Sequence, residues 1–217
     1  MQPKGQDPKQ AKSSAWMPAT DDEIKQKYLD RAIRELNTLT HDIQECDLCP
    51  RGQVMPVLPS GHCLGDIFLL KYAPAASEIS EGVAFYGRAG TALKKSFARL
   101  GIDPSVVYGT VFIKCPVGDT ELSDPGCRAR VLEELAIVQP RIVVVMGEEA
   151  LGELNELGVP LGRPVEATPG EVQRLTPMCD ALYVPDIDSS LDDEGAKRTF
   201  WRSFRALGDW YGDLPPY

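Results

Sequence analysis

Histidine is nearly absent from this sequence. His41 and His62 are the only two, which argues against a His-based zinc enzyme or a Ser-His-Asp hydrolase. No apolar run approaches the roughly 20 residues of a membrane span. The opening MQPKGQDPKQAKSS has no apolar core of the secretory kind, so the chain reads as cytoplasmic, without membrane contact. No Gly-rich phosphate loop is present, and Gly147 after a strand is an isolated turn signal. Positive charge is in deficit: 23 Lys and Arg against 32 Asp and Glu leave a net charge of −9. Such a chain is repelled by nucleic acid at long range, so DNA binding requires a local basic patch.

The charge is unevenly spread. Residues 88–114 carry Arg88, Lys94, Lys95, Arg99 and Lys114 against Asp103 alone. Residues 186–194 carry Asp186, Asp188, Asp192, Asp193 and Glu194 with no base. The length of 217 residues suits one α/β domain. Residues 1–19 read as a disordered tail in which only Trp16 and Met17 are candidates to dock, residues 20–212 as the domain, and 213–217 as a C-terminal tail.

Thr20 and Glu23 form a capping box that opens a helix ending near Cys46, with Ile24, Tyr28, Leu29, Ala32, Ile33, Leu36, Leu39 and Ile43 at helical spacing. A loop with a short strand around Val57 follows. Strands are expected at Ile67–Tyr72, Val106–Lys114, Ile142–Met146 and Ala181–Pro185. Helices are expected over 89–100, from an Asp124 cap and Pro125 to Val138, over 148–157, and over 194–211 with Phe200, Trp201, Phe204 and Leu207 inward. Strands alternating with helices imply a mainly parallel four-stranded sheet, covered on both faces as a three-layer α/β/α sandwich. Ligands in such sheets bind at the carboxyl ends of the strands.

Six cysteines in a chain of the reducing cytosol point away from disulfides. Cys46 and Cys49 form a C-x2-C pair at a helix end, Cys115 precedes Pro116, and Cys127 lies in the first turn of a helix. A Cys₄ set of this kind holds iron–sulfur clusters, and Cys-Pro recurs among their ligands. Zinc is the rival, although its ribbons use two tight pairs, and burial as small core residues is the third reading. Cys63 and Cys179 read as core residues.

The strings C-D-L-C, F-Y-G-R-A-G, V-Y-G-T-V-F-I-K-C and V-V-V-M-G-E-E-A together resemble the iron–sulfur (family 4 type) uracil-DNA glycosylases over about residues 21–207. The resemblance implies a 4Fe-4S cluster on Cys46, Cys49, Cys115 and Cys127. It implies a base pocket with Phe85 as the stacking face. It also shows replacements. The family's approximate G-E-x-P-G becomes Lys71-Tyr72-Ala73-Pro74-Ala75, with Tyr72 at the acidic position. Val111 stands at the Asn that reads the uracil edge. Asp188-Ser189-Ser190 stands at H-P-S, where an aspartate opposes developing negative charge and its acidic neighbours face the phosphates. The expectation is a protein without ordinary uracil excision. It would bind DNA, single-stranded or damaged, through Arg88, Lys94, Lys95 and Arg99 of the 88–99 helix, or an unidentified protein. The alternative is a DNA glycosylase of altered base specificity.

Overall fold

The computed structural model describes residues 20–49, 51–52, 54–115 and 126–214. The expectations for residues 1–19, for the Asp124 cap with Pro125 and for Cys115's neighbour Pro116 lie outside them.

Helix α1 (Asp21–Gln44) starts at the expected box: Thr20 Oγ1 accepts from the Glu23 N–H, and the Glu23 carboxylate accepts from the Thr20 N–H at 2.8 Å. Strand β1 (Ser60–Gly61) and strand β2 (Ile67–Lys71) follow. Helices α2 (Ala76–Glu81) and α3 (Arg88–Leu100) lead through a 3₁₀ turn, Pro104–Val106, into strand β3 (Val107–Val111). Then come α4 (Gly126–Val138), β4 (Ile142–Met146), α5 (Glu148–Glu156), the hairpin β5 (Val172–Thr176) with β6 (Cys179–Val184), the short α6 (Ile187–Ser190) and α7 (Glu194–Gly212).

The sheet order is β1-β3-β2-β4-β6-β5. Its middle four strands are parallel and are the four expected from the apolar runs. The sheet nevertheless has six strands: β1 and β5 are added antiparallel at the two edges. Both escape sequence reading for a physical reason. β1 is two residues long, and β5 is largely exposed, so it has no apolar run to mark it. The helices α2 and α6 are likewise too short to display a period.

Period-two alternation sorts the core into two layers. Ile67, Leu69, Val107, Ile142, Val144, Leu182 and Val184 face α3 and α7, packing on Leu93, Phe97, Phe200, Phe204 and Leu207. Phe68, Leu70, Tyr108, Val143, Val145, Ala181 and Tyr183 face α4 and α5. Trp201, expected inward, is only partly buried against the first layer. In α1 the periodic set splits: Ala32, Leu39 and Ile43 are buried, whereas Ile24, Tyr28 and Ile33 remain exposed. The helix period was there, but its packing partner, α4, is met only by part of α1.

Two glycines test this packing with opposite signs. A Cβ on Gly90 in α3 would overlap the backbone carbonyl of Phe85, whereas nothing lies within 4 Å of one on Gly152 in α5. Gly90→Ala should destabilise by about 1–3 kcal/mol or more through overpacking. Gly152→Ala should stabilise by about 0.4–1 kcal/mol through reduced chain entropy. Urea denaturation of both variants checks the pair.

Candidate functional site

The carboxyl end of β2 carries an unexpected group. Lys71 continues the face of Ile67 and Leu69, so its side chain points into the α3 layer and is 0% exposed. A buried ammonium must be paired. Its Nζ donates to Glu78 Oε2 of α2 at 2.5 Å and to Asp188 Oδ2 of α6 at 2.5 Å. Glu78 is also fully buried, while the Asp188 side chain is one third exposed.

Glu78 does more than balance charge. Its Oε2 also accepts from the Ala75 N–H at 2.6 Å, and its Oε1 accepts from the Phe85 N–H. This holds Phe85 at φ +58°, a left-handed conformation that a bulky residue adopts only under constraint. The Lys71 Nζ then lies 5.5 Å from the centre of the Phe85 ring, within cation–π range. The ring also sits against Gly109 of β3: a Cβ there would stand 2.6 Å from it. Val111, two residues on, is fully buried with Val57 and Ala84, and Phe85 packs against this group.

The pocket-equivalent positions are thus brought together unequally. Phe85, Val111 and Asp188 gather around Lys71. Tyr72 does not join them. It is one residue beyond Lys71, so it points to the opposite face and packs with the α4–α5 layer. Lys71 and Glu78 had no role in the sequence reading. The signal for Lys71 was a lysine closing an otherwise apolar strand, IFLLK; no comparable signal marks Glu78.

The acidic run also differs from the repulsive patch its composition suggests. Asp186 caps α6 by accepting from the Ser189 N–H, and Asp193 caps α7 by accepting from the Ala196 N–H. Asp188 is bound to Lys71, Asp192 to Arg88 at 2.6 Å, and Glu194 to Lys197 at 2.6 Å. The four basic candidates divide accordingly. Arg88 is tied to Asp192. Lys94 lines a cavity of about 290 Å³ beside Phe85 and Gly109. Lys95 and Arg99 line a different groove with α6 and α7. Lys114, counted with them in sequence, is buried and belongs to the interior.

The second cluster of chemistry sits on the other face of the sheet. Cys46, Cys115 and Cys127 line a cavity of about 290 Å³ together with Lys114 and Arg130. A hydrogen bond from Cys115 draws the Cys127 thiol down to about 6, and the same bond, with burial, pushes Cys115 up. Cys49 also contributes a hydrogen bond that lowers Cys127. Cys46, Cys115 and Cys127 thus share one cavity, and Cys49 lies within hydrogen-bond reach of Cys127. No disulfide joins any cysteine. Among the described residues, no three His, Cys, Asp or Glu are grouped so as to hold a metal ion. Cys63 and Cys179 are half-buried elsewhere, and burial pushes Cys179 up to about 12. The C-x2-C loop is pinned by Arg51, whose Nη2 donates to the carbonyls of Gln44 at 2.6 Å and Cys46 at 2.9 Å. Lys114 is satisfied by Thr110 Oγ1 and by Glu134 Oε1 at 2.7 Å. Burial pushes Glu134 up, and the Lys114 charge opposes that.

The sheet has the α/β/α architecture that the resemblance implies, with Phe85 beside a cavity at its edge. The profile of the uracil DNA glycosylase superfamily matches residues 64–188, and the chain belongs to that superfamily. Among curated proteins, the chain is similar to a type-4 uracil-DNA glycosylase of Pyrobaculum aerophilum: 28% identical over 140 residues, covering 61% of this chain and 69% of the relative. No helix of the described residues is long and apolar enough to cross a membrane.

The ion triad yields a stability prediction. Lys71→Met leaves two carboxylates without their cation and should cost about 3–5 kcal/mol. The triple change Lys71→Met, Glu78→Gln, Asp188→Asn should recover much of that loss, because it removes the unpaired charges. Equilibrium urea unfolding reads both; equal stability of wild type and Lys71→Met would remove the ion pairs from the account of the site.

Proposed function

We propose that this member of the superfamily does not perform ordinary uracil excision and serves as an iron–sulfur protein that binds nucleic acid. The observation that carries the reading is the fully buried Lys71 ammonium, held between Glu78 and Asp188 against the Phe85 ring. A base flipped onto that face of Phe85 has to displace an ion-paired lysine. Breaking such a pair costs several kcal/mol. Val111 offers no polar group to the base edge, and unpaired polar atoms on a buried base cost about 1–3 kcal/mol each. Tyr72, on the opposite face, is out of reach as a general base for water at Phe85.

Asp188 acts in this reading as the counter-ion of Lys71. It does not stand as a lone negative charge opposite a departing base, as residue type alone suggests. The Lys71–Asp188 pair also sustains a second reading, a glycosylase of altered specificity. The partly exposed Asp188 carboxylate and the ammonium behind it are a polar pair that a differently substituted base can meet.

The four cysteines support the cofactor. Thiolates are the iron ligands, and Cys46, Cys115 and Cys127 line one cavity. Cys46, Cys49, Cys115 and Cys127 would hold a 4Fe-4S cluster, tying the end of α1, the end of β3 and the start of α4 into one unit. The donor set is all sulfur, which suits such a cluster. Bound there, the group supplies structural cross-linking of loops distant in sequence.

Two measurements test this. Anaerobically prepared protein should contain about four irons and four sulfides per chain, as the Cys₄ reading requires. Cys115→Ala should lose both and melt well below the parent; a colourless variant-like parent with native melting contradicts the cluster. Single-turnover incubation of loaded protein with oligonucleotides bearing uracil, hypoxanthine or xanthine, followed by alkali, should leave the uracil strands uncut. Uracil release would overturn the reading. Release of another base alone would select the altered-specificity enzyme.

A further inference from the structure

Helix α6 connects the Lys71 ion pairs to a second feature. Its Asp188 points to Lys71, while Ile187 and Ser190 line a groove of about 310 Å³ bounded by α3 and α7. The charged side chains lining that groove are Lys95, Arg99, Lys197 and Arg198, with no carboxylate. Four cations around one concavity are unexpected in a chain of net charge −9. Arg99 lies over the Trp201 ring, its guanidinium carbon 5.7 Å from the centroid. Lys197 is paired with Glu194 at the rim. Lys95, Arg99 and Arg198 are in none of the ion pairs found among the described residues. The nearby acids Asp186, Asp188, Asp192 and Asp193 are engaged as caps or ion-pair partners.

We propose that the groove between α3, α6 and α7 is a binding surface for single-stranded nucleic acid. Its cations take successive phosphates, and the Arg99–Trp201 stack offers a flat face to the bases. Positive grooves combined with aromatic side chains are how single strands are held without sequence preference, and Arg adds a cation–π share. The small, concave groove suits one strand and not a duplex. The strand lies beside α6, whose Asp188 is bound to Lys71 and lies outside the groove lining. This rests on the reading of the chain as a nucleic-acid binder and names the surface for it.

The test is a fluorescence anisotropy titration of the full-length, cluster-loaded protein with fluorescein-labelled dT15, which carries no uracil. The expected result is binding at low salt that falls steeply as salt rises. The exposed charge reversals Lys95→Glu and Arg198→Glu, combined, should weaken it by about tenfold or more and lower the salt slope by about one per lost phosphate contact. Arg34→Glu on the distant α1 should leave it unchanged, and all variants should keep the parent's melting curve. Blunt duplex should bind more weakly. Binding by the parent with an unchanged double variant overturns the groove, as does absence of any titration at low salt. Equal competition by an acidic decapeptide also overturns it, since the surface then takes any polyanion. Uracil release in the preceding assay would refute the pocket reading and leave this result standing, so the two failures are separate.

Discussion

The burial of one ammonium group organises the candidate pocket. Strand alternation fixes Lys71 on the same face as Ile67 and Leu69, where neither water nor an unpaired charge is tolerable. The chain answers with two carboxylates from two short helices that also pack through Ile79 and Ile187. Helix α2 is six residues long and α6 four. Each is tied to the strand end by one ion pair to Lys71. Glu78 then passes the constraint on, because the carboxylate that holds Lys71 also accepts the Phe85 N–H. The left-handed backbone of Phe85 and the packing of its ring against Gly109 are thus linked, through Glu78, to one lysine at the end of one strand.

A second buried lysine plays a parallel part on the opposite face. Lys114 follows β3 as Lys71 closes β2, and it too is satisfied from a crossover helix, by Glu134 of α4, with Thr110 of its own strand. The network is less complete than the first: Glu134 Oε2 and the Tyr108 hydroxyl are buried without hydrogen-bond partners. Burial, followed by the Glu134 charge, pushes the Tyr108 hydroxyl up, so it stays protonated beside that carboxylate. This network abuts the cavity of the cysteines, since Lys114 lines it. The two lysines therefore stand one per face of the sheet, near the strand ends where α/β sheets collect function.

What could be read from the residues follows from which forces leave a local pattern. The four central strands did, because burial on both faces writes a continuous apolar run such as Ile142–Met146. The capping box at Thr20 did, because its partners are three residues apart. The edge strands did not: β5 pairs on one side only and keeps polar residues outward. Motif order pointed to Cys46, Cys115 and Cys127, which line one cavity, whereas nothing in the sequence marked Arg51 behind the C-x2-C loop. The pocket was read through one retained residue, Phe85, and through replacements at Val111 and Asp188, but the ion pair that Asp188 makes with Lys71 was not foreseen. The two lie 117 residues apart, and no spacing rule connects them. Tyr72 was drawn toward the pocket by alignment with a motif, whereas the two-residue period of β2 turns it to the other face.

The same long-range pairing changes what the net charge means. Five acids within residues 186–194 look, as a string, like a shield against phosphate. In the fold two of them terminate helices and three neutralise Lys71, Arg88 and Lys197. Their charge is spent locally, within a few ångströms of a cation or a helix N-terminus, and so it decays quickly with distance. Lys95, Arg99 and Arg198 are in none of the ion pairs among the described residues, although Arg198 also acts on Glu194, and they stand around one groove rather than being dispersed. An approaching polyanion within a Debye length, about 10 Å at 0.1 M salt, feels that local arrangement more than the total of −9. The acidic composition and a nucleic-acid surface are then compatible, because the acids are consumed in building the fold beside the groove that the bases line.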